Sequence, residues 1–127
     1  PDHPDVARLQ QAFLEADGFV LVTPEYHGSV SGVLKNALDL MSFDQLDGKV
    51  AAMISILGGQ SNSNALNDLR TILRWVHAWV VPEQVAIGQA WQAFDERGKL
   101  TDAKLSARLD DLAQSLFDNT RKLREVS

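Results

Sequence analysis

Residues 19–41 read FVLVTPEYHGSVSGVLKNALDLM. The opening run, Phe19-Val20-Leu21-Val22-Thr23, is β-branched or bulky at nearly every position. It shows no alternation of apolar and polar side chains. A short run of this kind predicts an internal parallel strand covered on both faces. Pro24 ends it, because proline brings no N–H to a sheet ladder. Beyond the next turn, Val30, Val33, Leu34, Ala37, Leu38 and Met41 recur at i, i+3, i+4, i+7. That stripe predicts a helix packed along one side, with Ser29 or Ser31 as its N-cap.

The same grammar repeats on either side. Val6, Leu9 and Phe13 predict a helix over about residues 4–16, with Pro4 tolerated in its first turn and Gly18 breaking the run. After Asp47-Gly48, the stretch Val50–Leu57 predicts a second buried strand, stopped by Gly58-Gly59. Leu66, Leu69, Ile72, Leu73 and Val76 predict a helix that begins near Asn62 or Ser63, runs through His77 and closes at Val80-Val81-Pro82. Val85-Ala86-Ile87 is read as a shorter third strand. Residues 89–100 form a surface excursion with an Asp95–Gly98 turn. Thr101 is read as the N-cap of a last helix carrying the stripe Leu105, Leu109, Leu112, Leu116. Helices alternating with strands imply an α/β fold, a parallel sheet with helices on both faces and right-handed crossovers.

Composition removes several functional classes. The 127 residues suffice for one domain with one core. There is no cysteine, hence no disulfide, thiolate catalysis or thiolate metal ligand. The net charge of -5 argues against a nucleic-acid partner, which would need a basic face. Apolar runs are too short to span a membrane, and the Pro1–Asp5 start has no signal-peptide character. A cytoplasmic setting fits. His3, His27 and His77 form no metal-ligand spacing, so no metal is expected.

In open parallel sheets, ligands bind beyond the carboxyl ends of the strands. Two loops fall there. Thr23–Ser29 combines a rigid Pro24, the flat ring of Tyr26, the imidazole of His27 and a Gly28 that permits close approach. Leu57–Asn62 brings Gly58, Gly59 and small polar residues able to cradle an anion or the polar edge of a ring. It is neither a Walker motif nor a Gly-x-Gly-x-x-Gly signature. Composition alone leaves open whether the first loop is a binding loop or an ordinary strand-to-helix turn.

The segment TPEYHGSVSGVLKNALD, residues 23–39, resembles the signature of the NADPH-dependent FMN reductase family. That pattern reads Pro-Glu-Tyr-Asn/His-Gly-Ser followed by Gly-x-Leu-Lys-Asn-Ala. Pro24 to Ser29 match it, as do Gly32, Leu34, Lys35, Asn36 and Ala37. Gly58-Gly59 is similar to the family's glycine loop, and residues 82–102 resemble the segment before its last helix. The resemblance implies a flavodoxin-like three-layer sheet with strand order 2-1-3-4-5 and non-covalent FMN. It assigns Pro24, Glu25, Tyr26 and His27, with Gly28, to the isoalloxazine ring. Gly58, Gly59 and Gln60 fall to the pyrimidine side. Lys35 and Asn36 are expected to serve structure or subunit contact. The family's first strand and its Gly-Ser-x-Arg-type phosphate loop have no counterpart in these residues, so the N-terminal strands are expected to be absent from this chain. That would leave Phe19–Thr23 with an open edge.

Trp75 and Trp79 are read as an i, i+4 helix pair suited to a core or an oligomer contact. Trp91 falls outside both loops. The implied activity is an NAD(P)H-dependent flavin oxidoreductase, with NADPH or NADH as hydride donor and flavin, a quinone or a similar small molecule as acceptor. No side chain is assigned as a catalytic acid or base. A homodimer or homotetramer is expected. The alternatives are a flavodoxin-like electron carrier and a truncated, cofactor-free interaction module.

Overall fold

Strand β1 (Gly18–Pro24) lies parallel to β2 (Val50–Ile56), paired from Gly18↔Val50 to Pro24↔Ile56. The computed structural model describes residues 3–125, the side chain of Glu125 excepted. The first two residues of the Pro1–Asp5 reading therefore lie outside the described residues. On its other side, β2 pairs in parallel with β3 (Trp79–Val80) and then with β4 (Val85–Ile87).

Between these two pairings, Ala52 and Met53 of β2 face the four residues Val81–Gln84, an excess of two. Val81 N–H still reaches Ala51 O at 2.9 Å, but Pro82 has no N–H to continue the ladder. Arg70 supports the break from α4 (Asn64–Trp75). Its Nε donates to Gln84 Oε1 at 2.9 Å, and its Nη2 donates to the carbonyls of Val81 at 3.0 Å and Pro82 at 3.1 Å. Desolvation by partial burial lowers the Arg70 pKa from its ordinary value.

Helices α1 (Pro4–Glu15), α2 (Gly32–Asp39), α3 (Phe43–Leu46) and α4 surround one core. There Leu21, Leu38, Leu46, Met53, Leu66, Leu69 and Leu73 are buried together. Each fully buried leucine contributes about 2 kcal/mol over an exposed one. Helix α6 (Ala103–Glu125) closes the opposite face, with Leu112 on Val50, Ala52, Val81, Val85 and Ile87. Period two along β2 separates the cores: Ala51 and Met53 join the first, Val50 and Ala52 the second.

Several expectations change. β1 is an outer strand among the described residues, in line with the expected open edge and not the internal strand that its unalternated run predicts, and its α6-side residues Val20 and Val22 are 44% and 49% exposed rather than covered. α6 meets β1 closely at Gly18, where an added Cβ would stand 2.6 Å from Thr120 Oγ1. Helix α4 ends at Trp75, so Trp75 and Trp79 are not a helix pair; Trp79 belongs to β3 and both rings are exposed. His77 is not mid-helix. It takes a left-handed φ of 67° in the turn that sends the chain into β3. Asp102, not Thr101, caps α6: its Oδ1 accepts from Lys104 N at 2.8 Å and Leu105 N at 3.3 Å. Ser31 caps α2 through Leu34 N at 3.1 Å, and Pro4 sits in the first turn of α1 as expected. No helix among the described residues is long and apolar enough to cross a membrane.

Candidate functional site

Pro24, Ile56 and Ile87 are register partners across the sheet. The chain therefore leaves β1, β2 and β4 at one level, about 5 Å apart from strand to strand. Glu25 N–H donates to Ile56 O at 2.8 Å, and Leu57 N–H to Ile87 O at 2.9 Å. The pairing thus continues one residue into the loops.

The first loop is a rigid turn. Tyr26 and Ser29 exchange both backbone hydrogen bonds, at 3.0 and 3.1 Å. The two residues between them, His27 and Gly28, have φ of 51° and 79°. Paired positive φ values are what a type I′ turn demands, and glycine adopts them without steric cost. Thr23, fully buried, fastens the base: its Oγ1 accepts from Ser31 N–H at 3.1 Å and donates to Pro24 O at 2.8 Å. Ser29 Oγ donates to Asp68 Oδ2 at 2.6 Å. Tyr26 is left 60% exposed on this frame.

The second loop carries Gly58, Gly59 and Gln60, all exposed. An added Cβ at either glycine meets nothing within 4 Å, so the main chain there is open to an approaching group. The N–H groups of Gly58, Gly59, Gln60 and Ser61 donate to no group among the described residues. Glu25 joins the two loops. Its carboxylate accepts from Asn62 Nδ2 at 3.0 Å and, more distantly, from Ala65 N–H in the first turn of α4 at 3.4 Å.

A third strand-end segment, Gly88-Gln89, lies against the second loop and was not singled out in the sequence. Gln89 N–H donates to Gly59 O at 2.7 Å and Ala90 N–H to Leu57 O at 3.0 Å. Gln89 takes a left-handed φ of 46°. Trp91 follows on the one-turn helix α5 (Ala90–Ala93) and is 77% exposed. It stands outside the two loops named from sequence, yet directly past a strand end. Nothing local to Gly88 marks it in the sequence, because its contacts are with backbone distant along the chain.

Pro24, Glu25, Tyr26, His27 and Gly28 are therefore in one loop, and Gly58, Gly59 and Gln60 in its neighbour, bridged by Glu25 and Asn62. Lys35 is apart from them on α2, paired with Asp39 at 2.9 Å, and Asn36 is exposed beside it. The donor set suits the polar edge of a planar heterocycle, and Tyr26 offers it a face. Neither residues 23–29 nor 57–62 contain a lysine or arginine for a phosphate.

A parallel sheet with helices on both faces and glycine-bearing loops at its carboxyl edge is the doubly wound architecture, and the structural neighbours make it flavodoxin-like. A flavodoxin from the Archaea shares this fold at a TM-score of 0.64 and 14% identity, over 91% of this chain and 71% of that one. The family model for NADPH-dependent FMN reductases matches residues 1–92. The chain belongs to that family of flavin oxidoreductases, whose cofactor is FMN and whose donor is NADPH. It is 30% identical over 130 residues to the NADPH-dependent FMN reductase ArsH of Rhizobium meliloti, covering 98% of this chain and 54% of that protein. It is 38% identical over 102 residues to an FMN-dependent NADPH-azoreductase of Staphylococcus aureus, covering 79% and 54%. The NAD(P)H:(acceptor) oxidoreductase FerB of Paracoccus denitrificans superposes at a TM-score of 0.80 with 29% identity, over 95% of this chain and 70% of that one. The chain spans about half the length of the curated relatives it matches.

Proposed function

We propose that this chain supplies the ring-binding side of an NAD(P)H-dependent FMN reductase. The observation that carries the reading is an exposed Tyr26 together with a run of amides at Gly58–Ser61 that have no partner among the described residues, on loops tied together by Glu25 and Asn62. Bound FMN would supply the redox chemistry that links the nicotinamide donor to a second acceptor. The protein's part is to orient. Pro24, Glu25, Tyr26, His27 and Gly28 would flank the ring, and Gly58, Gly59 and Gln60 would meet its pyrimidine edge. No side-chain acid or base is assigned. The acceptor is a small planar or oxidising molecule such as free flavin, a quinone or an azo compound, which the azoreductase and NAD(P)H:(acceptor) oxidoreductase among the relatives support.

A homodimer or homotetramer in the cytoplasm belongs to the same reading. Exposed Trp75 on α4 lines a groove with Leu38, Met41 and Ile72. The test uses the full-length protein. It should show a flavin spectrum and FMN-dependent loss of nicotinamide absorbance. Tyr26→Ala should weaken flavin binding by about 1 kcal/mol through loss of an aromatic contact. A colourless protein with no FMN-dependent NADPH oxidation, or Tyr26→Ala with an unchanged flavin dissociation constant, would overturn the assignment.

A further inference from the structure

We infer that Gly88 and Gln89 are positioning residues that aim two amide donors, Gly58 N–H and Gln60 N–H, at the ligand. The inference rests on the reading that a flavin ring meets the glycine loop. It adds the device that orients that loop.

A trans peptide unit is planar, so its C=O and the following N–H point in opposite directions. Leu57 O is held by Ala90 N–H at 3.0 Å, on the β4 side. Gly58 N–H must therefore point away from β4, toward the side of the sheet where Glu25 pairs with Ile56 O. Gly59 O is held by Gln89 N–H at 2.7 Å. Gln60 N–H consequently points away from Gln89 in the same manner. The third strand end tethers alternate carbonyls, and the intervening amides are set outward as a pair. Two donors fixed in this way suit adjacent acceptors on the imide edge of a heterocycle, and they need no reorganisation when it arrives.

The tether requires close approach. An added Cβ at Gly88 would stand 2.5 Å from Ser61 N, 2.9 Å from Gly59 O and 3.0 Å from Ser61 Cα. All three are backbone atoms, so no side-chain rotation relieves the clash and the loop itself must move. Gln89, at φ 46°, is where the chain turns to present its N–H to Gly59.

Two measurements on the full-length protein test this. Gly88→Ala should weaken binding of both FMN and lumiflavin about tenfold, the effect of losing one to two hydrogen bonds. Lumiflavin isolates the ring from the phosphate. Should Gly88→Ala fail to fold, the parent decides alone. On adding lumiflavin to nitrogen-15-labelled protein, the Gly58 and Gln60 amide protons should move downfield and slow their exchange. Unchanged Gly58 and Gln60 signals at saturating lumiflavin, or a folded Gly88→Ala with parental affinity, would overturn the inference while leaving flavin binding intact. Failure of the parent to bind lumiflavin or FMN at all would overturn the functional reading and this inference with it.

Discussion

Asn62 Nδ2 donates to Glu25 Oε2 at 3.0 Å, and this contact links the loop after β1 to the loop after β2. The other carboxylate oxygen faces Ala65 N–H. Ser63, the N-cap residue of α4, makes no side-chain cap of its own. A carboxylate at that end also suits the helix dipole. Glu25→Ala should cost about 1 kcal/mol of stability and loosen flavin binding, because both loops lose their common anchor. Glu25→Gln should lose less, since its amide oxygen still accepts from Asn62. Urea unfolding and flavin titration read the two effects, and equal unfolding midpoints for Glu25→Ala and the parent would exclude the linking role.

The turn at His27-Gly28 predicts an asymmetric response to substitution. Gly28→Ala places a Cβ at a φ of 79° and should destabilise by about 1 kcal/mol. His27→Asn should be neutral or slightly stabilising, because asparagine tolerates the left-handed region better than most residues. Thermal unfolding of both variants checks this, and a Gly28→Ala protein as stable as the parent would mean that the turn relaxes freely.

Much of this architecture is legible in the sequence, and the illegible parts share a cause. Phe19–Thr23 and Val50–Leu57 declare themselves by β-branched and apolar runs, broken in the second only by Ser55, and the Leu105–Leu116 stripe by its period. Trp79–Val80 does not, because two residues carry no period. Its Trp79 also stands at helical spacing from Trp75, which imitates a continued helix. The reversal between them depends on His77 at positive φ, a conformation that histidine rarely adopts and composition does not announce. The two site loops were readable because glycine, proline and tyrosine are concentrated there. The Glu25–Asn62 bond and the packing of Gly88 on Ser61 are contacts between segments distant in sequence, and no local pattern encodes them.

Arg70 predicts a stability effect far from the loops. Its guanidinium serves two carbonyls and Gln84 at the break between β3 and β4. Arg70→Met keeps much of the aliphatic stem and removes every donor, so it should cost about 2 kcal/mol. Arg70→Lys should recover less than half, because an ammonium cannot reproduce the planar fork. Denaturant midpoints test this, and an Arg70→Met midpoint equal to the parent's would show that solvent replaces the guanidinium without loss.

Ser115 Oγ donates to Glu83 Oε1 at 2.6 Å. That bond first, and the residue's own backbone N–H second, hold the Glu83 pKa below its ordinary value. A depressed carboxyl pKa stabilises the folded state above the unfolded pKa, and the contribution is lost as pH falls through the folded value. Ser115→Ala should therefore raise the Glu83 pKa toward an ordinary glutamate, seen by carbon-13 NMR titration. Its stability difference from the parent should shrink on acidification through the carboxylate range. A difference that grows as pH falls would reverse the sign and refute the assignment.

The amide run at Gly58–Ser61 has an evolutionary corollary. Recognition built from main-chain N–H groups does not read side-chain identity, so on the proposed reading drift at the exposed Gln60 or Trp91 leaves the amides in place. On that reading these exposed side chains would be among the first that a second molecule meets. Under the proposed function, mutation could then reshape which molecules are admitted without rebuilding the platform beneath, which would make this edge of the sheet a starting point for directed evolution toward new oxidants.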